Sequence, residues 1–352
     1  MISHRSALHL SSPPFKRRGS HFRKGRSSGT LVALMAPVAL LVLPASGANT
    51  ALDIIGRFNL IAGDYNAGNE TEGSAFIYGN YNPSTQSRFG FNGGQAANDS
   101  EYMLWLNNGV NNSNSTTLIT GSVLSRVAVN SSQFTLNGNA PGTPVITTGE
   151  AAWENELTSQ LGINTTAEFV GILSDASSQW AALDVNSTAS LPGNGGLSFN
   201  AAPTNIDGYQ VAVFNVTAAQ LSDNTISRYD LFLNGANTVL INVSGTTVNI
   251  NKSFTGDFTN NENKVIFNFF EAETVTITNN ARAGIFAPFA SVIQSGSNID
   301  GSVIAASFSQ TAEVHDKRFD AYLPYAAAIP EPSTVLLTAA GLGVLLRRRR
   351  TV

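Results

Sequence analysis

The chain contains no cysteine, and charged residues make up only 12% of its 352 residues. Without cysteine there are no disulfides, no thiol catalysis and no cysteine-ligated metal site. This absence is compatible with export, because a chain of this length can build a hydrophobic core that folds without disulfides. The low charge leaves much of the polar surface to Asn, Thr, Ser and Gly, residues typical of strands and tight turns. The composition therefore favours a mainly β protein.

The N-terminus has the features of an export signal. The first 30 residues carry seven basic side chains and no acidic one, and an uninterrupted apolar run follows over residues 31–43. Pro44 then breaks the apolar helix, and small residues follow it as far as Ala48. This order predicts a signal peptide over residues 1–48 with cleavage near Gly47 or Ala48. The pair Arg17-Arg18 lies far from the apolar run, which favours general secretion over the twin-arginine route.

The C-terminus carries a second processing pattern. Pro330, Glu331 and Pro332 precede an apolar segment over residues 333–346, and an arginine cluster follows it: Arg347, Arg348, Arg349 and Arg350. Because guanidinium groups resist crossing a bilayer, the cluster predicts a cytoplasmic stop-transfer element after a transmembrane helix. A helix of about 14 residues spans about 21 Å, which is shorter than the bilayer core of about 30 Å. This length favours a temporary membrane attachment before processing over a permanent anchor.

The order of Pro-Glu-Pro, short apolar helix and arginine cluster resembles the PEP-CTERM sorting signal. The resemblance implies that an exosortase of a Gram-negative bacterium processes the protein. The implied route uses the secretion machinery and a transient anchor in the inner membrane. The protein would then reach the cell surface or the extracellular (biofilm) matrix. The alternative interpretation is an ordinary single-span tail anchor.

The segment between the two processing elements, residues 49–329, is acidic. It contains nine basic and 23 acidic residues, so its net charge is about −14. This disfavours nucleic acid as a partner, because phosphates are bound by basic patches. Asp- and Asn-rich turns could hold Ca²⁺ through oxygen ligands, but neither an EF-hand loop nor a glycine-rich nonapeptide repeat occurs. We therefore predict no cofactor, with calcium as the alternative.

Short apolar runs separated by turn residues predict many short strands. Gly-Ser precedes such a run at Gly73, Gly121 and Gly301. Apolar clusters also recur every eighteen residues, at Asn249, Phe267, Ile285 and Val303. A constant interval of this size predicts a β-solenoid in which Ile285 and Val303 stack in one interior column. A β-sandwich is the alternative all-β architecture.

Residues 148–183 interrupt the strand pattern. Apolar residues at helical spacing run from Ala151 to Leu161 and again from Phe169 to Trp180. Gly162 and the pair Thr165-Thr166 indicate two helices or one helix with a break. The simplest interpretation is an amphipathic element that packs along the β structure with its aromatic side chains in a core.

Several segments of residues 49–329 resemble the choice-of-anchor A domain. Its opening is similar to residues 58–65 (Phe-Asn-Leu-Ile-Ala-Gly-Asp-Tyr) and 72–80 (Glu-Gly-Ser-Ala-Phe-Ile-Tyr-Gly-Asn), and its closing half to residues 284–290 and 299–305. The resemblance covers about residues 52–325. It implies a surface-displayed adhesive domain with an early β segment, a helical insertion and a closing run of β coils. Residues 80–114 depart from the family and are expected to form a long polar loop.

Catalytic residues are scarce in the predicted mature domain. His4, His9 and His21 belong to the leader, so His315 is the only histidine left, and no Gly-x-Ser-x-Gly motif accompanies it. On a strand, Glu313 and His315 would share one face as an acid/base or metal pair, or as surface partners. The carboxylates of Asp300, Asp316 and Asp320 are close enough in sequence to be considered for sugar cleavage. No catalytic residue and no metal site is predicted.

Three functions are compatible with these features. A non-enzymatic adhesive of the cell surface or matrix is favoured, with extracellular polysaccharide as a candidate ligand. A polysaccharide-acting β-helix enzyme is the second. An ice-binding solenoid is the third, suggested by the alternating Thr274, Thr276 and Thr278. At a fixed interval of eighteen, however, Thr276 would have Phe258 and Gln294 as neighbours, which would not form a flat rank of threonines.

Overall fold

A computed structural model describes residues 50–90, 102–136 and 144–325. The predicted signal peptide and cleavage site, the Pro330-Glu331-Pro332 motif, the apolar segment 333–346 and the arginine cluster lie outside the described residues. Within the described residues, no helix has the length and apolar character needed to cross a membrane.

The described residues form short strands and four α-helices. The helices are α1 (Thr50–Arg57), α2 (Glu150–Leu161), α3 (Thr166–Ala181) and α4 (Ala218–Leu221). The strands before α2 are β1 (Leu60–Ala67), β2 (Glu70–Thr71), β3 (Ala75–Ile77), β4 (Tyr81–Pro83), β5 (Arg88–Phe89), β6 (Tyr102–Leu106), β7 (Thr116–Leu118), β8 (Ser122–Ser125), β9 (Phe134–Leu136) and β10 (Ile146–Thr148). The strands after α3 are β11 (Thr188–Ser190), β12 (Gly196–Asn200), β13 (Thr204–Ile206), β14 (Tyr209–Thr217), β15 (Arg228–Phe232), β16 (Thr238–Ser244), β17 (Thr247–Ile250), β18 (Ser253–Gly256), β19 (Val265–Asn268), β20 (Thr274–Ile277), β21 (Gly284–Gln294), β22 (Ile299–Asp300), β23 (Val303–Ser309) and β24 (Val314–His315).

The strands stack as the coils of a solenoid, in parallel except for the antiparallel pairs β11–β12 and β13–β14. The largest sheet has 14 strands in the order β10-β8-β6-β3-β1-β23-β21-β19-β16-β14-β13, with β4, β17 and β20 attached beside this row. A six-stranded sheet (β22-β24-β2-β5-β7-β9) and a four-stranded sheet (β11-β12-β15-β18) form the other sides. The predicted mainly β, solenoid-like fold is confirmed, and the sandwich alternative is not observed. The expected long loop over residues 80–114 was wrong in part, because it includes β4, β5 and β6.

The first strand lies in the middle of the large sheet. β1 pairs in parallel with β3 on one side and with β23, near the C-terminal end of the domain, on the other. Leu60 is in register with both Ala75 and Val303. The coils before α2 therefore stack on one side of β1 and the later coils on the other, and this long-range pairing joins the two halves.

The predicted interior column is present, but the constant interval is not. Ile285 is in register with Val303 on one side and with Phe267 on the other, and all three side chains are buried. Asn249 was placed wrongly, because it pairs with Thr276 and points outward. Coils differ in length where β17, β18 and the turns between them are inserted, so within the predicted series the eighteen-residue interval holds only for Phe267, Ile285 and Val303.

Two helices cover one side of the large sheet. α2 ends at Gly162, whose left-handed backbone (φ 67°) lets its N–H donate to the carbonyls of Leu157 and Thr158. α3 begins after Thr165, whose side chain accepts a hydrogen bond from the Glu168 amide. Their buried aromatic side chains pack against outward side chains of the sheet: the Phe76 and Phe169 rings stack 4.0 Å apart, and the Trp180 and Phe286 rings are 4.7 Å apart. This forms a second core outside the coils.

A ladder of asparagines joins α3 to the coils beneath it. Asn215, Asn242 and Asn268 occupy one register position on β14, β16 and β19. The Asn268 side-chain amide donates to the Asn242 side-chain oxygen (2.9 Å), and Asn242 donates in turn to Asn215 (3.3 Å). The Ser177 hydroxyl of α3 donates to the Asn268 side chain at 2.7 Å. These bonds satisfy polar groups in an apolar interface, where an unpaired one would be costly.

Candidate functional site

A row of polar side chains covers the side of the large sheet where β17, β20, β21, β23, β1 and β4 lie next to each other. The strands pair in this order through the C-terminal halves of β21, β23 and β1. Alternate residues point outward and form two columns, which we call the polar face. The first column is Thr247, Thr274, Ser291, Ser307 and Asp64, and the second is Asn249, Thr276, Ile293, Ser309, Asn66 and Asn82.

The side chains of the polar face are short, mostly uncharged and at least partly exposed. Asp64 is the only charged member of the two columns, and Ile293 is the only apolar one. Where asparagines meet, they are held by their neighbours: Asn66 donates to the Ser309 hydroxyl (3.2 Å), and Asn82 donates to the Asn66 side-chain oxygen (3.1 Å). Because parallel strands lie about 4.8 Å apart, six of them present donors and acceptors over a height of about 24 Å.

Stacked aromatic rings support the polar face from inside. Phe308, Tyr65 and Tyr81 are successive members of the interior column behind it. The Phe308 and Tyr65 rings lie 5.7 Å apart and nearly parallel (4°), and the Tyr65 and Tyr81 rings are 5.8 Å apart. The Tyr65 hydroxyl donates to the Gln310 side chain at 2.6 Å, so its buried polar end is satisfied. This stack fills the interior directly behind the polar face.

The neighbours of Thr276 differ from those expected from the sequence. At a fixed interval its neighbours would be Phe258 and Gln294, but the structure places it between Asn249 and Ile293. Phe258 and Gln294 are both buried. The predicted neighbours were therefore wrong, because the coils are not of equal length, but the observed neighbours of Thr276 do not form a rank of threonines either.

Glu313 and His315 lie together on another face, in the six-stranded sheet. His315 Nε2 is 2.9 Å from a Glu313 carboxylate oxygen, and its Nδ1 is 2.5 Å from Asp300 Oδ1. β22 and β24 pair so that Asp300 and His315 stand side by side. Asn298 also donates to Glu313 at 3.2 Å. We call Asp300, Glu313, His315 and Asn298 the His315 cluster.

Two carboxylates hold the imidazole of His315 in its charged form. The hydrogen bond with Asp300 is the main cause that raises the pKa of His315 to about 9; burial opposes it, and Glu313 adds to it. Burial alone would raise the pKa of Asp300, but hydrogen bonds from His315 and Asn280 outweigh burial and lower it. At neutral pH the cluster is an imidazolium between two carboxylates, which is a poor general base.

The raised pKa predicts how stability depends on pH. A histidine whose pKa is about 9 when folded and about 6.5 when unfolded stabilises the fold fully below pH of about 6.5. This contribution is lost as pH rises through about 9. We expect the difference in free energy of unfolding between wild type and His315→Gln, measured by urea denaturation, to be largest near pH 6 and to shrink by pH 10. A difference that is constant over this range would contradict the assigned contacts.

The other carboxylates considered for catalysis have different surroundings. The Asp316 carboxylate pairs with Arg318 at 2.8 Å, and Asp320 is exposed beside a surface cleft. Among the described residues, no three His, Asp or Glu side chains are arranged so that they could hold a metal ion. The calcium alternative remains an untested prediction.

Most of the polar face and the buried glutamines at its edge were not identified from the sequence. Gln294 ends β21 and Gln310 follows β23; the Gln310 amide donates to the Glu70 carbonyl (2.7 Å), and the Gln294 amide donates to the Ser297 carbonyl (2.7 Å). They fix the corner between the polar face and the six-stranded sheet. The available signal was the alternation of small polar with apolar residues at the end of β23, from Ser307 to Ser309.

A family model described as "Putative Ice-binding-like adhesive domain" matches residues 51–316. The chain belongs to this family. The adhesive class implied by the sequence is thereby confirmed, whereas the choice-of-anchor A assignment and the PEP-CTERM signal remain predictions. A comparison with curated proteins gives no match.

Solved structures give distant matches. A glycosylated ice-binding protein from an Arctic yeast is 14% identical, with 82% of this chain and 100% of that chain covered and a TM-score of 0.30. The competence-associated pilin ComZ of Thermus thermophilus is 14% identical over 76% of this chain and 72% of that chain, with a TM-score of 0.29. The ice-binding protein_1 DUF3494 domain of Shewanella frigidimarina is 16% identical over 76% of this chain and 96% of that chain, with a TM-score of 0.27.

Proposed function

We propose that the protein is an exported adhesive that binds extracellular polysaccharide through the polar face and catalyses no reaction. In this proposal an exosortase removes the C-terminal signal after a transient stay in the inner membrane. The protein then remains at the cell surface or in the matrix. Membership of an adhesive-domain family supports the class, and the polar face is the observation that carries the proposal.

The chemistry of the polar face suits repeated weak contacts with sugar hydroxyls. Hydroxyl and amide groups can both donate and accept, so they match the mixed donors and acceptors of a glycan. One such hydrogen bond adds only about 1 kcal/mol, because water competes for the same groups. Many contacts on one face, and many copies on one cell, would supply the avidity.

Cell attachment tests this proposal against an enzymatic one. Attachment and matrix retention are compared for wild type, a deletion, and a His315→Ala/Glu313→Gln double mutant. We expect the double mutant to behave like wild type, because the His315 cluster lies on a different face, and the deletion to lose attachment. If the double mutant behaves like the deletion, Glu313 and His315 form the functional site, and the enzymatic function replaces the adhesive one.

Ice binding is the second candidate, because Thr247 and Thr274 are in register on the polar face and the family description names ice-binding-like domains. Against it, Asp64 and Ile293 interrupt the two columns. Thermal hysteresis of the purified protein separates the two functions. A freezing-point gap that Thr274→Glu abolishes would favour ice, and the absence of a gap together with matrix retention would favour the adhesive.

A further inference from the structure

Two tyrosines stack on the surface at the edge of the large sheet, away from the polar face. Tyr209 begins β14, and its side chain is 46% exposed. Its ring lies 4.4 Å from that of Tyr322, with 14° between the ring planes. The two rings therefore lie face to face, with Tyr209 exposed and Tyr322 half-buried, and we call this pair the tyrosine platform.

A tight hairpin turn positions the platform. β13 and β14 form a hairpin whose two turn residues, Asp207 and Gly208, both have positive φ (50° and 95°). Two such residues define the tight turn that matches the twist of the strands. The Tyr322 hydroxyl donates to the Asp207 carboxylate at 2.6 Å. Burial is the main cause that raises the pKa of Tyr322 to about 12, followed by Asp207, so this hydroxyl stays protonated and keeps donating.

Two clefts adjoin the platform. One, of about 440 Å³, is lined by Tyr209, Tyr322, Asp53 and Asp320. The other, of about 470 Å³, is lined by Tyr322, Asp207, Gln179 and Tyr325. Both volumes lie in the range of small-ligand sites. Within the part of the chain that the structure describes, Asp53 and Asp320 make no ion pair, so their oxygens are free to accept hydrogen bonds.

We propose that Tyr209 and Tyr322 form a second binding site for a neutral glycan chain, with one pyranose ring stacked on the outer face of the Tyr209 ring and its hydroxyls donating to Asp207, Asp53 or Asp320. A pyranose has an apolar face of C–H groups and a rim of hydroxyls, and this site offers the complement of both. Carboxylates accept hydrogen bonds and do not donate them, so a neutral sugar fits better than a uronic acid. The site goes beyond the proposed function and does not depend on the polar face.

Titration with cellohexaose, a neutral β-linked glucose oligomer, tests the site on the purified exported protein. We expect weak saturable binding, followed by tyrosine fluorescence and calorimetry. Tyr209→Ala should weaken it about fivefold to tenfold, because an aromatic stacking contact is lost. Tyr209→Phe should bind like wild type. Phe232→Ala is the matched control, because Phe232 has the same 46% exposure and lies on β15 in another sheet.

The outcomes separate this site from the polar face. A wild type that does not bind, a Tyr209→Ala variant that binds like wild type, or an equal loss in Phe232→Ala would overturn the inference. Binding of a hexauronate as tight as that of cellohexaose would overturn it too. If Tyr209→Ala loses cellohexaose while no polar-face variant changes matrix retention, the tyrosine site stands and the proposed function fails. If Tyr209→Ala binds cellohexaose like wild type while a polar-face variant loses matrix retention, the tyrosine site is refuted and the proposed function stands.

Discussion

Replacing Val303 with aspartate is expected to unfold the protein at room temperature. Val303 has no exposed surface, and its neighbours in register are Leu60 and Ile285. A carboxylate there has no partner, and burying it costs several kcal/mol. A loss beyond about 4 kcal/mol is a large part of the 5–15 kcal/mol that stabilises a typical domain. Val303 also lies where β23 pairs with β1. The substitution therefore disrupts the pairing that joins the two halves of the domain.

Circular dichroism and urea denaturation measure this effect, with Ser309→Asp as the matched control. Ser309 lies on the same strand, but its side chain points outward and accepts a hydrogen bond from Asn66. We expect this control to stay folded with a change below about 1 kcal/mol, as for most surface substitutions. If Val303→Asp were as stable as wild type, residue 303 would not face the interior, and the solenoid would be wrong.

Replacing Gly301 with alanine is expected to destabilise the protein by about 3 kcal/mol. A Cβ at this position would lie 2.1 Å from the Ala283 carbonyl oxygen and 2.8 Å from the Gly284 nitrogen. Both atoms are backbone of the neighbouring coil, so no flexible side chain can move away. Forcing atoms into a packed interior costs about 1–3 kcal/mol, with the upper end expected when backbone must shift.

Gly171→Ala is the control for the Gly301 substitution. Gly171 lies inside α3, and a Cβ there meets nothing within 4 Å. Alanine is favoured over glycine in a helix by about 0.5–1 kcal/mol, so this variant should gain stability. Opposite signs for the two glycines, measured by urea denaturation, are the expected result. A neutral Gly301→Ala would show that the coils are farther apart there than the structure places them.

The Gly-Ser recurrence was visible in the sequence, but its causes were not. At Gly73 a Cβ would lie 2.5 Å from that of Asn59, and at Gly301 the obstacle is a backbone carbonyl. At Gly121 the requirement is a positive φ of 82°. The three glycines precede β3, β8 and β23, where a coil turns into the large sheet. A local sequence signal thus marked the start of three strands, although the neighbouring coil that excludes a side chain is distant in sequence.

Strand positions could be predicted from local alternation, but coil stacking could not. The two helices with their break at Gly162 followed from apolar spacing and from glycine at a helix end. The neighbours of each strand depend instead on how many residues the intervening turns contain. Thr276 shows this: its partners Asn249 and Ile293 lie 27 residues before it and 17 after it. The paired strands β1 and β23 are even farther apart in the sequence.

The same limit applies to the candidate sites. The contact between Glu313 and His315 followed from the two-residue period of a strand. Asp300, the strongest partner of His315, is supplied by the preceding coil and could be included only once the pairing of β22 with β24 was known. Likewise, Tyr209 and Tyr322 are separated by more than a hundred residues, and no local pattern connects them.

The central claim is that the polar face holds the protein in the matrix. The most direct test is retention of the purified exported protein on cell-free extracellular matrix. The double variant Thr276→Glu/Ser309→Glu places one long charged side chain on each side of Ile293 in the polar face. We expect it to reduce retention about tenfold or more, since repeated weak contacts fail together. The control Thr117→Glu/Thr135→Glu alters two paired threonines on the six-stranded sheet and should be retained like wild type. Equal retention of both variants, or a greater loss in the control, would contradict the claim.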